Sequence, residues 1–424
     1  MSENKLAQQV AEYVSSERLH KRLMELARFG GRDDGGVSRE TLTELDTQAR
    51  RYLIDWARSL GCKVYQDGCA NLFFRLEGEQ DLPPILTGSH IDTQPVGGKY
   101  DGAYGVVAGL ELIEALRAAG VTPRRPVEVV SWTNEEGSRF APGAMGSSAY
   151  ADPSLLPTYL RARDAAGISL SEALEQTLAA TCDVPLTRLG GKPDAYIELH
   201  IEQGPVLERM GCELGVVSTI QSVRWYSIAC SGRMGHAGTT PMDERVDAMV
   251  AATELATRIR ALAETLFSQG LRFTIGRWQA SPNSVNTIAG NVEFTLDVRC
   301  VDEQVLSSFE QSLQELIEAY QWAGHIRLGT FFKRGTTHFD PQIVEVVQSA
   351  CATTCEKLGK PGPVEMTSGA FHDAMYLAEV CPSAMIFVPS RAGISHNANE
   401  YTSPEQLYIG ARALTHAVAE LACA

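Results

Sequence analysis

The sequence has no long hydrophobic run and no excess of positive charge, and both absences narrow the class of protein. No stretch of its 424 residues approaches the roughly 20 apolar residues that a transmembrane helix needs. Lysine and arginine number 37 against 52 acidic residues, which gives a net charge of −15. Proteins that bind nucleic acid or anionic membranes usually carry a basic patch, and the longest basic cluster here is TPRRP at 122–126. We therefore expect no nucleic-acid or membrane partner.

Signals for export, for a cysteine framework and for repeats are also missing. The segment MSENKLAQQVAEYV at 1–14 is polar and lacks the apolar core of a signal peptide, so we expect a cytoplasmic protein. Ten cysteines are scattered without zinc-ribbon spacing. We interpret Cys351 and Cys355, which lie four apart on a predicted helix, as small buried side chains that stay reduced. The chain contains no internal repeat and no low-complexity stretch.

What the sequence does contain is material for two domains. It is 44% hydrophobic and 21% charged, and its length exceeds that of one ordinary domain. Before residue 190, apolar runs such as 83–90, 126–133 and 194–204 alternate with helix-length segments. This alternation predicts an α/β domain with a largely parallel sheet. It resumes after residue 340, with a strand at 383–389 and a helix near 404–421.

The middle of the chain follows a different order. Predicted strands and amphipathic helices alternate as β-α-β-β-α-β, at 223–232, 245–266, 272–280, 286–300, 303–323 and 325–332. This is the ferredoxin-like pattern. We therefore predict two domains: an α/β domain formed by residues 1–214 and 332–424, and an inserted α+β domain formed by residues 215–331.

Acidic and imidazole side chains follow the predicted strands of the larger domain, where ligand sites of open α/β sheets lie. Taken alone, each of these residues has a purely structural interpretation. An isolated Asp before Gly, for example, often caps a helix. As a set, histidines and carboxylates at strand ends suit a pair of divalent metals bridged by a carboxylate, and zinc, manganese and cobalt all accept such ligands. The residues are His90, Asp92, Asp101, Glu135, Glu136, His200 and His396.

Five segments around these residues resemble the M20-type metallohydrolases, and more narrowly the amidase, hydantoinase/carbamoylase family. The segments are TGSHIDTQPVGGKYDGAYGV, NEEGSRF, ELHIEQG, GHAGTTPMDERVDA and GISHNANEYT. The group includes N-carbamoyl-L-amino acid hydrolases, β-ureidopropionases and allantoate amidohydrolases, and the resemblance runs through nearly the whole chain. It implies a zinc-exopeptidase-like α/β catalytic domain, residues 1–214 and 332–424, with a ferredoxin-like lid that also forms a homodimer.

The resemblance also implies two divalent ions per subunit and their ligands. His90 and His200 would hold one ion, and Glu136 and His396 would complete the site of the other. Asp101 would bridge the two ions.

Further roles carried over from the resemblance concern catalysis and substrate binding. Glu135 would be the general base and then the general acid, and Asp92 would orient His90 through its far nitrogen. His236, on the lid, would reach a catalytic site, often that of the partner subunit. The residues expected to contact substrate are Gln203, Asn286, Arg299 and His372.

The expected reaction is hydrolysis of the ureido C–N bond of an N-carbamoyl amino acid, giving the amino acid, ammonia and carbon dioxide. Two ions acidify a bridging water, and the resulting hydroxide would be the nucleophile. Arg299 is either an edge-strand arginine that faces water or a bidentate clamp for the substrate carboxylate. Phe371 stands in SGAFHDA where the family usually has a small residue, and we expect it to narrow or reshape the pocket.

Three other functions compete with this one. An allantoate amidohydrolase would use the same site. An aminopeptidase or dipeptidase is disfavoured because His200 stands where many M20 peptidases have an acidic ligand. A binding or scaffold protein that has lost catalysis is disfavoured because Glu135 and all five metal ligands are present.

Overall fold

The computed structural model describes residues 3–424. The chain divides into two compact units, Met1–Thr219 with His338–Ala424, and Ile220–Thr337. The boundaries expected from the sequence, after residues 214 and 331, lie a few residues too early. The reason is that Gly215–Ile220 forms a strand paired with Ser383–Val388 of the first unit, whereas the strand His325–Arg334 runs past residue 332.

Several of the longer helices begin at a side chain that accepts a hydrogen bond from the first turn. Thr43, for example, accepts from the backbone N–H of Asp46, and Ser403 forms a reciprocal capping box with Gln406. The helices are α1 (Glu3–Ala11), α2 (Ser16–Leu26), α3 (Glu44–Ser59), α4 (Ala103–Ala118), α5 (Met145–Ala151), α6 (Leu156–Tyr159), α7 (Leu170–Ala180), α8 (Val206–Met210), α9 (Ala248–Glu264), α10 (Glu303–Ala319), α11 (Pro341–Lys357), α12 (Ala374–Leu377) and α13 (Pro404–Cys423). No helix within residues 3–424 has both the length and the apolar character needed to span a membrane.

The strands belong to one large sheet, one small sheet and a two-stranded ribbon. They are β1 (Lys63–Gln66), β2 (Leu72–Leu76), β3 (Ile85–His90), β4 (Val127–Trp132), β5 (Ala195–Ile201), β6 (Gly215–Ile220), β7 (Ser222–Ser231), β8 (Gly235–His236), β9 (Arg272–Ser281), β10 (Thr287–Ile288), β11 (Asn291–Cys300), β12 (His325–Arg334), β13 (Thr337–His338), β14 (Val364–Ser368) and β15 (Ser383–Val388).

The first unit is built on a nine-stranded sheet in the order β1-β2-β4-β3-β5-β15-β6-β13, with β14 paired to β6. The central strands β4, β3, β5 and β15 are parallel, and all of their residues are buried. Continuous burial is typical of parallel strands that are covered on both faces. The pairs β1–β2, β2–β4 and β15–β6 are antiparallel, so the sheet is mixed rather than largely parallel. Because the central strands run in one direction, their carboxyl ends meet at one edge.

The second unit is an antiparallel four-stranded sheet in the order β12-β7-β11-β9, packed against α9 and α10. Its main elements follow one another as β7-α9-β9-β11-α10-β12, which is the predicted ferredoxin-like pattern. Strand β11 alternates between buried and half-buried residues along its whole length. This alternation places Phe294, Leu296 and Val298 in a core with Leu255 and Phe309 of the two helices.

Candidate metal centre

The loop after β4 carries the adjacent acids Glu135 and Glu136, and it departs from strand geometry just before them. Asn134 has a φ of 59°, and its side-chain amide donates to the carbonyl oxygens of Phe140 at 2.8 Å and Pro142 at 3.1 Å. Asparagine is one of the few residues that tolerates this left-handed conformation. The alternation of a strand, which would send neighbouring side chains to opposite faces, therefore no longer applies at residues 135 and 136.

Asp92 fixes the main chain of these two glutamates. Its Oδ1 accepts from the backbone N–H of Glu135, and its Oδ2 accepts from that of Glu136, each at 3.2 Å. The Nδ1 of His90 is 2.9 Å from the main-chain oxygen of Asp92 and 3.7 Å from its carboxylate. Asp92 thus orients His90 through its carbonyl group, while its carboxylate holds the 135–136 peptide, which the sequence did not predict.

Asp101 lies at the centre of the cluster, with each carboxylate oxygen facing a different group. Its Oδ1 is 3.3 Å from Nε2 of His200 and 3.9 Å from Nε2 of His90. Its Oδ2 is 3.3 Å from Nε2 of His396, which is in turn 3.3 Å from Oε2 of Glu136. Two groups of potential ligand atoms, each within 4.8 Å of one another, therefore share Asp101: His90–Asp101–His200 and Asp101–Glu136–His396.

The two buried histidines present unprotonated nitrogens to this centre. The Nδ1 atoms of His90 and His200 each lie 2.9 Å from a main-chain carbonyl oxygen. A carbonyl oxygen can only accept a hydrogen bond, so Nδ1 carries the proton in both rings. The backbone N–H of Gly102 donates to Nε2 of His200 at 3.1 Å, so this nitrogen carries no proton. Neutral imidazole with an unprotonated Nε2 is the form that binds a metal.

The charge of the cluster also fits a cation. Burial, followed by the charges of Asp373 and Glu136, raises the pKa of Glu135 well above its usual value. Burial and the charge of Asp101 raise the pKa of Glu136 to about 8. A nearby cation reverses such shifts, because it favours the ionised carboxylates. Mixed imidazole and carboxylate donors suit zinc, manganese or cobalt, so the residues present fit a divalent metal.

Asp101 is not the helix cap that its position before α4 also allowed. The helix begins at Ala103 with Gly102 at the cap position and no side-chain cap. Gly102 has a φ of 61°, and a Cβ there would lie 2.3 Å from Nε2 of His90. Only glycine fits this position, so the backbone can pass directly beside His90 and leave Asp101 free for the centre.

Among the expected site residues that are not candidate metal ligands, Glu135 and Gln203 contact the cluster directly. The Oε2 of Glu135 is 3.4 Å from Nε2 of His90, and the glutamate belongs to neither group of ligand atoms. Gln203, which has a φ of 56°, donates from Nε2 to Oδ2 of Asp101 at 2.8 Å.

His372 lies behind the centre rather than at its surface. It is 1% exposed, its ring centroid is 4.5 Å from that of His200, and its Nε2 is 3.1 Å from Oγ of Ser368. The structure therefore makes His372 a packing neighbour of a candidate ligand, while its expected contact with substrate stays a prediction.

The three expected site residues of the second unit, His236, Asn286 and Arg299, lie in two separate places. His236 and Asn286 are exposed neighbours: β8 pairs with β10, and the backbone N–H of Ala237 donates to the carbonyl of Asn286 at 3.0 Å. Arg299 lies at the other end of β11, where its guanidinium binds both carboxylate oxygens of Asp297 at 2.7–2.8 Å. The eight residue steps from Asn291 to Arg299 correspond to about 26 Å of strand.

Two further residues that the sequence did not predict contact the centre. Ser395 and Glu400 both lie within GISHNANEYT, the segment that contains His396. The Oγ of Ser395 is 2.9 Å from Oδ2 of Asp101 and 3.0 Å from Oε2 of Glu400. Their position beside His396 was the only available signal, since neither contact follows from spacing along a strand or helix.

Both the sequence and the fold of this chain are similar to those of known proteins. Residues 86–420 match the model of Peptidase family M20/M25/M40, and the chain belongs to this family. Over 412 residues it is 38% identical to the N-carbamoyl-L-amino acid amidohydrolase of Geobacillus stearothermophilus, covering 96% of this chain and 99% of that one. It is 36% identical over 400 residues to the allantoate amidohydrolase of Bacillus subtilis, covering 94% and 95%.

The solved structures point to the same branch of the family. A hydantoinase/carbamoylase family amidase from Burkholderia vietnamiensis superposes with a TM-score of 0.87 at 40% identity, covering 97% of this chain and 98% of that one. The resemblance to this group of amidases is thereby confirmed over nearly the full length of both domains.

Proposed function

We propose that this protein is a two-metal amidohydrolase that cleaves the ureido C–N bond of N-carbamoyl amino acids. The observation that carries the proposal is the position of Asp101, whose two carboxylate oxygens face two separate sets of ligands. The similarity of the whole chain to amidohydrolases that act on C–N bonds outside peptides supports the reaction class. His90 and His200 would hold one ion, Glu136 and His396 the other, and Asp101 both.

Glu135 is the proton carrier of the proposed reaction. A pair of divalent ions would polarise the ureido carbonyl and acidify the attacking water. Glu135 lies beside the ligands without belonging to either set, so its carboxylate is available to accept the proton of that water. It would then return the proton to the departing nitrogen. The peptide that links Glu135 to Glu136 is held by Asp92, which ties the proton carrier to a metal ligand.

Substrate recognition would use both units. Gln203 contacts Asp101 and is placed to bind a substrate at the centre. Arg299 suits a substrate carboxylate because guanidinium binds carboxylates in a bidentate manner, as its contact with Asp297 illustrates. His236 would donate to the developing oxyanion, with Asn286 beside it.

The separation of Arg299 from His236 and Asn286 supports a homodimer. About 26 Å of strand β11 lies between Asn291, which follows Asn286 and the β8–β10 ribbon in the chain, and Arg299, whereas an amino-acid-sized substrate is much shorter. We infer that one copy of the second unit does not present both places to the same small substrate. Two copies can, if each centre takes Arg299 from one subunit and His236 with Asn286 from its partner.

A substrate panel tests the proposal. The purified protein is loaded separately with zinc, manganese or cobalt and given N-carbamoyl-L- and D-amino acids, N-carbamoyl-β-alanine, allantoate and a dipeptide. We expect ammonia and free amino acid to form fastest from an N-carbamoyl substrate. Ammonia released mainly from allantoate would instead identify an allantoate amidohydrolase, the function of the Bacillus subtilis relative. Cleavage of the dipeptide alone would overturn the proposal.

A further inference from the structure

A buried carboxylate that is not itself a candidate ligand lies directly behind Asp101. Glu400 is 5% exposed, and its Oε1 accepts from the backbone N–H groups of Tyr100 at 2.9 Å and Asp101 at 3.1 Å. Its Oε2 is 3.0 Å from Oγ of Ser395, the hydroxyl that also contacts Oδ2 of Asp101. Glu400 therefore contacts the main chain of Asp101 directly and its side chain through one hydroxyl.

The chain around Asp101 is shaped to receive this carboxylate. A Cβ at Gly98 would lie 1.9 Å from Oε1 of Glu400 and 2.0 Å from its Cδ. No other side chain at position 98 leaves room for Glu400 in its present place. The glycine is thus needed for the approach of Glu400, whereas Gly102, on the other side of Asp101, makes room for His90.

Asp92 and Glu400 make the same kind of contact with two different candidate ligands. Each accepts from two consecutive backbone N–H groups, and the second of these belongs to a candidate ligand: Glu136 for Asp92, Asp101 for Glu400. Asp101 has the stricter requirement of the two ligands, because its two oxygens face different sets of partners. A small rotation of the Asp101 main chain would move one of its carboxylate oxygens away from the set of ligand atoms that it faces.

We propose that Glu400 is a positioning residue that holds Asp101 in the orientation in which it can bridge two cations. The inference rests on the two-cation site proposed above and adds to it the group that fixes the bridge. Without Glu400, two buried N–H groups lose their acceptor, and the turn before α4 has to shift to satisfy them. Because Asp101 belongs to both sets of ligands, this shift weakens both cation sites together.

The test measures cation affinity rather than turnover. Stepwise dissociation constants for Mn²⁺ are determined by titration against a chelator for the full-length wild type, Glu400→Ala and Glu400→Gln. Loss of a residue that orients a ligand typically lowers metal affinity about 10- to 100-fold, and we expect a loss of this size at both sites in Glu400→Ala. Glutamine keeps an oxygen that can accept from both amides, so Glu400→Gln should retain most of the affinity.

Two further variants separate positioning from general stability. Glu111→Gln alters another buried carboxylate, on α4, which accepts from the backbone N–H of Ser15 and pairs with Arg18. We expect it to lower the melting temperature without changing either Mn²⁺ affinity. Gly98→Ala keeps Glu400 but forces it aside, so it should weaken both sites and gives a result even if Glu400→Ala does not fold.

The outcomes distinguish this inference from the function on which it rests. If wild type binds two Mn²⁺ ions and Gly98→Ala or a folded Glu400→Ala binds both with wild-type affinity, Glu400 does not position Asp101 and only this inference fails. Loss confined to one site, or an equal loss in Glu111→Gln, would also overturn it. If wild type itself binds fewer than two ions, the two-cation site fails and the inference with it.

Discussion

Replacing Glu135 by glutamine should nearly abolish turnover but keep the bound metal, whereas replacing Glu136 by glutamine should remove a metal ion. Glu135 is outside both sets of ligand atoms, and its side chain is 7% exposed, with Oε2 3.4 Å from Nε2 of His90. Glu135→Gln keeps the shape but removes the proton acceptor. General acid–base groups contribute about 10²- to 10⁴-fold, so kcat should fall by this factor, which corresponds to about 2.7–5.4 kcal/mol of activation free energy. Metal content and KM should stay close to wild type.

Glu136→Gln is the matched variant, one residue away and of identical chemistry. Its carboxylate lies within 3.3 Å of His396, in the set that shares Asp101, so this variant should lose one ion per chain. Both variants are assayed for ammonia release and, by mass spectrometry, for bound metal. If Glu135→Gln keeps most of its activity, Glu135 is not the proton carrier. If Glu135→Gln loses metal while Glu136→Gln does not, the two glutamates have the opposite roles.

Three other changes probe recognition, anchoring and selectivity. Arg299→Ala should raise KM about 10- to 100-fold with a small effect on kcat, because a charge-assisted pair contributes about 1.5–3 kcal/mol; an unchanged KM would remove Arg299 from substrate binding. Asp92→Ala leaves the N–H groups of Glu135 and Glu136 without their acceptor, and should lower the free energy of unfolding by about 1–3 kcal/mol in a denaturant titration. The ring of Phe371 packs close to Gly143, where a Cβ would lie 3.0 Å from its Cζ. Phe371→Gly removes this ring and should favour bulkier substrates in the panel. An unchanged ranking of substrates would argue against a role of Phe371 in selectivity.

The sequence predicted the central strands and the second unit well because their patterns are strong. The strands β4, β5 and β15 are short segments of mainly apolar residues, and β3 begins in one. Strand β11 and its neighbours follow the periodicities of strands and helices. The short antiparallel strands β1, β2 and β6 were not predicted. Each has only four to six residues, and β6 follows directly on the boundary that the sequence placed at residue 214.

At the site, strand ends could be predicted, but contacts made by the main chain could not. His90 and His200 stand at the ends of β3 and β5, so parallel pairing alone brings them to one edge. The two carboxylates that hold Asp101 and Glu136 from behind bind backbone N–H groups, which every residue but proline carries. No spacing of residues marks such an acceptor, so Glu400 and the second role of Asp92 emerged only from the fold.

A titration with Mn²⁺ followed by electron paramagnetic resonance tests whether Asp101 bridges two cations. If it does, two ions bind per chain and their signals are magnetically coupled, because one carboxylate joins them. His396→Ala should then retain one ion with an uncoupled signal. A wild-type protein that binds only one ion, or two ions without coupling, would show that Asp101 does not bridge two cations.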